Sequence, residues 1–401
     1  MIFKRWTYGG MAGFALLCTG CMNWDAAEIN QLGIVAASGI QMLRPSDPHS
    51  LFLGSMQVAR PNQLAGGPEG GSGSGMGSES DTFIVMTGKG PTAAATVTAI
   101  QKQMPRRFFL RDRRVMIIGE DYARKGIGEL LDEMMRNPES RLRAYLLMAH
   151  DCTPLEILKI PSPLNRLPAN AIADLEKSGQ AASVNVVQFL KTMTGKGDPY
   201  MEGITVIRTP QKKMPRAFIL NGVAVFRRDR FVGWLTRTQA RGFYWMQQSA
   251  DKIKLFPVTV RLPGSQGFAT AQMTRLESSV IPHWKGLIPA MEIRLKVRFD
   301  IIENLSPLVL NRAQDGHRLE RIMASAIHKQ ITETLDVLQH RYDADIAGFG
   351  NRLFASFPGK WRRLEPRWSE VYAVMPVSVH VRVRIAHGGM TNGFIAKNEE
   401  G

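Results

Sequence analysis

Ile293-Arg294-Leu295-Lys296-Val297-Arg298-Phe299-Asp300-Ile301 changes between apolar and charged at every step. A two-residue period puts successive side chains on opposite sides of an extended chain, so this stretch reads as a half-buried strand with a charged outer face. Further on, Ile322, Met323, Ala326, Ile327, Ile331, Leu335 and Leu338 recur at helical spacing from Leu319 onward. That spacing predicts a long amphipathic helix lying across the sheet. Val379, Val381, Val383 and Ile385 then alternate with His380, Arg382 and Arg384 as a last strand. Upstream, Phe256 to Leu262 reads as a strand, and two apolar runs, Phe218 to Phe226 and Phe231 to Leu235, flank the polar turn Arg227-Arg-Asp-Arg230 as a hairpin. The expectation for residues 216–390 is an α+β domain, a largely antiparallel sheet crossed by one long helix, with a tail over 391–401.

The first half reads differently. Residues 32–42, 51–58 and 82–86 are strand-like, and between the last two lies a Gly/Ser-rich run over 66–80 with too little apolar surface to order itself. It reads as a flexible insertion within a domain. Pro91 opens a helix that runs to Gln103. Val115 to Gly119 is a strand, and a single helix is expected from Asp121, its N-cap, to Arg136, where Asn137-Pro138 ends it. Leu142 to Met148 returns as a strand. Residues 155–193 are helical segments broken by Pro161, Pro163, Pro168 and Gly179, and Gly203 to Ile207 is a further strand. The basic, proline-containing Thr209-Pro-Gln-Lys-Lys-Met-Pro215 suggests a boundary at 208–216. Residues 21–207 thus form an N-terminal α/β region, one domain or two subdomains. The fold class is α+β, multi-domain, with mixed sheets packed against helices.

The amino end reads as an address. Lys4 and Arg5 precede a short apolar run, Met11 to Leu17, and then Leu17-Cys18-Thr19-Gly20-Cys21. This is a secretion signal over 1–20 whose cleavage site abuts a cysteine, and the apolar run is far shorter than the roughly 20 residues of a membrane-crossing helix. Cys21 is the expected lipid attachment point. Of three cysteines, Cys18 leaves with the signal, and Cys152 sits before the helix-like Pro154 to Lys159 as a packing residue. The chain has 401 residues, 51 Lys and Arg against 35 Asp and Glu, a formal charge of +16 and a mean hydropathy of −0.14. Such a balance describes folded globular material whose field attracts polyanions. For an exported, lipidated chain the fitting polyanion is an anionic membrane surface.

Trp24-Asp25-Ala-Ala-Glu28-Ile29-Asn30, placed directly after a lipobox and before an apolar strand, resembles the start of mature Ger(x)C proteins, the lipoprotein subunits of spore nutrient germinant receptors. Phe108-Phe-Leu110, Val115 to Glu120, Ala123-Arg-Lys-Gly126-Ile127 and Arg136-Asn-Pro-Glu-Ser-Arg141 resemble that family's N-terminal half in order and spacing. Asn221-Gly222 to Phe226, Asp229 and Val232-Gly-Trp-Leu235 resemble the opening of its C-terminal domain. Gln339, Asp345-Ile346, Gly348-Phe349-Gly350 and Trp361 resemble its late signature. The resemblance implies a non-enzymatic subunit on the outer face of the spore inner membrane. It also implies two partners: a large membrane subunit bearing a soluble domain and a polytopic, transporter-like subunit. Trp24, Asp25 and Glu28 lie within about 10 to 25 Å of Cys21 along an extended chain, which makes them candidates for membrane-proximal or partner contacts.

Other chemistry finds little footing. Asp343-Ala-Asp345 matches the acidic pair of metal-using glycosyltransferases but fits turn or capping aspartates better. His317, His328 and His340 have no His-Glu-x-x-His spacing, the Gly71 to Gly77 run lacks a phosphate-loop lysine, and no Gly-x-Ser-x-Gly occurs. The pairs Arg106-Arg107, Arg113-Arg114 and Arg362-Arg363 lack interleaved aromatics, so nucleic acid is not an expected partner. No catalytic residue, metal or cofactor is assigned. The alternative from another class is an envelope solute-binding lipoprotein that captures a small ligand between its halves.

Overall fold

The computed structural model describes residues 31–47, 49–60, 82–162, 164–178, 183–210, 216–247, 257–265, 267–286 and 288–387. Cys21, Trp24, Asp25, Glu28, the 66–80 insertion and the 391–401 tail lie outside the described residues.

Val115–Ile118 (β5) has four apolar residues in succession, all buried. Val115 and Ile117 face one hydrophobic cluster, Met116 and Ile118 another, so this strand is covered on both sides. It lies in a nine-stranded sheet ordered β3-β2-β1-β5-β6-β7-β8-β9, with β4 beside β1. The members are β1 Leu32–Met42, β2 Phe52–Ala59, β3 Phe83–Gly90, β4 Arg107–Phe109, β6 Tyr145–Ala149, β7 Tyr200–Arg208, β8 Arg216–Arg227 and β9 Arg230–Leu235. β1, β5, β6 and β7 run parallel, and antiparallel pairings flank them on both sides. Helices cover one face with Tyr122, Leu130 and, from α6 (Val186–Met193), Phe189, and the other with Ile157 of α4 (Pro154–Leu158) and Ile172 of α5 (Pro168–Lys177).

The connection at 208–216 joins β7 to β8, which pair antiparallel in this sheet. The first sheet therefore takes its last two strands from the chain beyond that connection. Val223 and Val225 of β8 face the core of the second half while Ala224 and Phe226 face the core of the first, so one hairpin serves both.

The single helix expected from Asp121 to Arg136 is two, α2 Glu120–Lys125 and α3 Gly128–Arg136, after α1 Ala93–Gln101. Gly119 occupies the N-cap position, and Asp121 lies in the first turn. Gly126 sits at φ 117°, open to glycine and strained for other residues. Asp229 in the β8–β9 turn then takes the freed amides: its backbone oxygen accepts from Ile127 N at 3.0 Å, and its Oδ2 from Gly128 N at 3.2 Å.

The second sheet has order β10-β11-β12-β13, with Val258–Arg261, Phe268–Lys285, Ile288–Asn304 and Val377–His387. β10 to β12 pair antiparallel and β13 joins β12 in parallel. Ile293, Leu295, Val297 and Phe299 point into the core, as their alternation dictates. The long helix α8 (Ala313–Asp336) lies on that face through Leu319, Met323, Ile327, Ile331 and Leu335. α7 (Arg237–Met246) bridges to the first sheet. β11 was not expected: register shifts at Thr270/Ala271 and Met273/Arg275 break its alternation.

Candidate functional site

The end of α8 decides the geometry of the seam between the two halves. Its last turn widens into a π-helical turn, Val337–Tyr342, and Asp343 stops it in the left-handed conformation at φ 48°. Gly348 (φ 71°) then reverses the chain into α9 (Phe349–Ser356). This places Asp345 before a helix start, and its carboxylate accepts from Phe349 N at 2.8 Å and Gly350 N at 2.7 Å. A carboxylate at a helix N-terminus satisfies amides that have no partner within the helix.

The seam is closed from the other side by the loop before β7. Asp198 Oδ2 accepts from Asp345 N at 2.9 Å, Asp198 N donates to Asp345 O at 3.0 Å, and Asp198 Oδ1 accepts from Arg228 N at 3.1 Å. Lys196 N donates to Asn351 Oδ1 at 3.0 Å. Gly350 packs so closely on Lys196 O that an added Cβ would lie 2.0 Å from it. Gln339 Nε2 donates to Tyr372 O at 2.7 Å and Met375 O at 3.0 Å, fixing α11 (Trp368–Val374) beneath the turn. Trp361, buried on α10 (Pro358–Leu364), stacks at an angle on Trp368 with centroids 5.0 Å apart.

Above these contacts lies a cleft of about 620 Å³, lined by Lys196, Asp198, Arg227 to Arg230, Asp343, Asp345, Trp361, Glu365, Trp368 and Ser369 among others. Lys196 pairs with Glu365, and Asp343 Oδ2 accepts from Arg227 at 3.3 Å and from Ser369 Oγ. Burial pushes the Asp345 carboxyl up to about 7 against the pull of its two amide donors, and the Asp198 charge adds to the rise. Burial likewise raises Asp198 above the usual carboxylate range. The wall is thus mixed in charge.

The aspartates of Asp343-Ala-Asp345 therefore act as the turn and capping residues their position suggests. His317 pairs with Glu320 and His340 with Asp336 on the exposed side of their helix, far from a shared centre. Cys152 is half-buried near Ile204 O, and burial raises its thiol. Among the described residues no three His, Cys, Asp or Glu side chains converge to hold a metal ion, and no helix is long and apolar enough to cross a membrane. Sequence reasoning missed Lys196, Asp198 and Glu365. The local signal for Lys196 and Asp198 is the turn-rich Gly195-Lys-Gly-Asp-Pro199, and Glu365 has none, since the contacts that join these residues to Asn351, Asp345 and one another span about 150 residues or more.

A second junction joins motifs from the two halves. Trp234 Nε1 donates to Glu120 Oε2 at 3.0 Å, and His150 stacks on Trp234 at 4.0 Å between centroids. Tyr342 Oη donates to Trp234 O at 2.8 Å, tying the end of α8 to the same strand.

Two family models match in tandem: "Spore germination protein N-terminal domain" over residues 25–206, and "Spore germination B3/ GerAC like, C-terminal" over 221–389. Among curated proteins, the putative spore germination protein YfkR of Bacillus subtilis (strain 168) is 29% identical over 377 residues, covering 94% of each chain. Spore germination protein KC of the same organism is 22% identical over 399 residues, 95% of each. Among solved structures, the crystal structure of the GerBC protein aligns with 88% of this chain and 98% of its own, at a TM-score of 0.56 and 16% identity. That likeness shows the fold.

Proposed function

The chain belongs to the GerAC-like family of spore germination proteins, and from this premise we propose that it serves as a lipid-anchored, non-enzymatic subunit of a spore nutrient germinant receptor. The observation that carries the reading is the use to which the family-like residues are put. Asp345 and Gly350 join the two halves through Asp198 and Lys196, Gln339 and Trp361 brace the turn that carries them, and both oxygens of Asp345 are taken by backbone amides. That describes a body built to be held and to dock.

On this reading acyl chains on Cys21 hold the protein at the outer face of the spore inner membrane. Each buried methylene contributes about 0.8 kcal/mol, and two chains suffice for stable anchoring. Trp24, Asp25 and Glu28 then sit at the membrane surface, facing the large membrane subunit or the polytopic, transporter-like subunit. The test is genetic. Deleting the gene should abolish germination in response to at least one nutrient, and restoring it should bring the response back, whereas Cys21→Ala should not. Unchanged responses to every nutrient in the deletion strain would defeat the proposal.

The cleft of about 620 Å³ between the halves favours one second reading, capture of a small polar solute. A solute present at a hundred times its dissociation constant would stabilise the fold by about 2.7 kcal/mol. A screen of amino acids and sugars by thermal shift decides it, since a flat result removes this reading.

A further inference from the structure

β1, β4, β5 and β6 run parallel, so all four begin at one end of the first sheet. β2 runs antiparallel to β1 and finishes there. That end is basic. Arg60 follows the last residue of β2, and Arg107 stands opposite Leu32. Arg111 lies in the 3-10 turn Leu110–Asp112, Arg114 N donates to Ala36 O at 2.8 Å, and Arg143 lies two residues before the start of β6. Arg141 reaches Asp112 at 3.6 Å and Arg107 reaches Glu139 at 2.6 Å. Five of the six are exposed and Arg114 is half-buried.

The chain that leads back to Cys21 leaves the fold at this same end, from Leu32. Eleven residues span at most about 36 to 40 Å when fully extended, so a lipid on Cys21 keeps this end, more than any other, near the bilayer. Charges on it act only when they come within about 8 Å of the headgroups at physiological salt.

We propose that the strand-start end of the first sheet, through Arg60, Arg107, Arg111, Arg114, Arg141 and Arg143, is the face that docks on anionic lipid headgroups. The inference rests on the anchoring of Cys21 proposed above and adds an orientation to it. The parallel strands stand end-on to the membrane. The second sheet offers its own basic outer face, with Arg294, Lys296, Arg382 and Arg384, but the chain from Cys21 enters at the first sheet.

The test is hydrogen exchange, read by mass spectrometry, on the full lipidated chain bound to vesicles of phosphatidylcholine alone or mixed with phosphatidylglycerol. Residues 106–114 and 139–144 should exchange about tenfold more slowly on the mixed vesicles, and high salt should reverse this. Combining Arg107→Gln, Arg111→Gln, Arg141→Gln and Arg143→Gln should abolish the protection. Arg294→Gln, Lys296→Gln, Arg382→Gln and Arg384→Gln together, an equal loss of charge, should leave it intact. Protection confined to the second sheet, or equal exchange on both vesicle types, overturns the docking face. Failure of the untouched chain to associate with pure phosphatidylcholine instead refutes the lipid anchor, while rim protection on the mixed vesicles would still uphold the docking face.

Discussion

The two sheets solve the same packing problem in opposite ways. Helices cover both faces of the first, and its central strand, Val115–Ile118, is buried at all four positions. α8 covers only one face of the second, leaving Arg294, Lys296 and Arg298 of β12 to solvent. A sheet buried on both faces has nothing to offer a partner except its ends and edges. Recognition in the first half is therefore confined to strand ends and to the seam, whereas the second half keeps a whole face in reserve.

The largest expected effect probes the packing that supports the seam from the second half, where Trp361 lies against Trp368 and Gly350. Trp361→Ala should cost about 3 to 5 kcal/mol in chemical denaturation, the usual range for emptying a buried aromatic site. Unfolding of the unaltered chain should be one transition, because β8 contributes side chains to both cores. Two resolved transitions, one per half, would break the comparison by showing that the sheets fold independently.

Gly350→Ala should come next, at about 1 to 3 kcal/mol, because the new methyl meets Lys196 O at 2.0 Å and the backbone must shift. An unchanged denaturation midpoint would mean that the seam is looser than its hydrogen bonds imply.

Stability should also fall as pH rises. Burial lifts Asp345 to about 7 and Glu176 to about 8, so over this range the folded chain holds protons that the unfolded chain has released. The melting temperature should drop by several degrees between about pH 5 and pH 8. Asp132 and Glu292 are shifted down, so their contribution is lost only below the ordinary carboxylate range and does not reverse this trend. Glu176→Gln should flatten the upper part of the profile, since the Glu176 carboxylate oxygens are buried with no hydrogen-bond partner. A profile that rises toward pH 8 would contradict the assignment.

The smallest effect belongs to the bare face: Arg298→Gln should change stability by less than about 0.5 kcal/mol. A loss above 1 kcal/mol would show that this face is not in reserve but already part of the fold's support.

Much of this was legible in the sequence where one element decides its own pattern. The alternation from Ile293 to Ile301 and the helical spacing from Leu319 to Leu338 survive because each reports a single buried face. The break at Gly126 did not show, because the group that stabilises it, Asp229, lies about a hundred residues away. β11 was hidden by its own bulges. The seam was half visible: Asp345 and Gly350 stood out, but Asp198 and Lys196 gain their role only from a tertiary contact. The 208–216 connection reads as a boundary from its composition, and the two family models end and begin on either side of it, at 206 and 221; composition carries no trace of the hydrogen bonds between β7 and β8.

The central claim, a lipid-anchored receptor subunit, is tested most directly by mass spectrometry of the chain recovered from spore membranes. The account predicts an amino-terminal peptide that begins at Cys21 and carries acyl chains on its sulfur. A mature chain with an unmodified Cys21, or one that begins elsewhere, would contradict it.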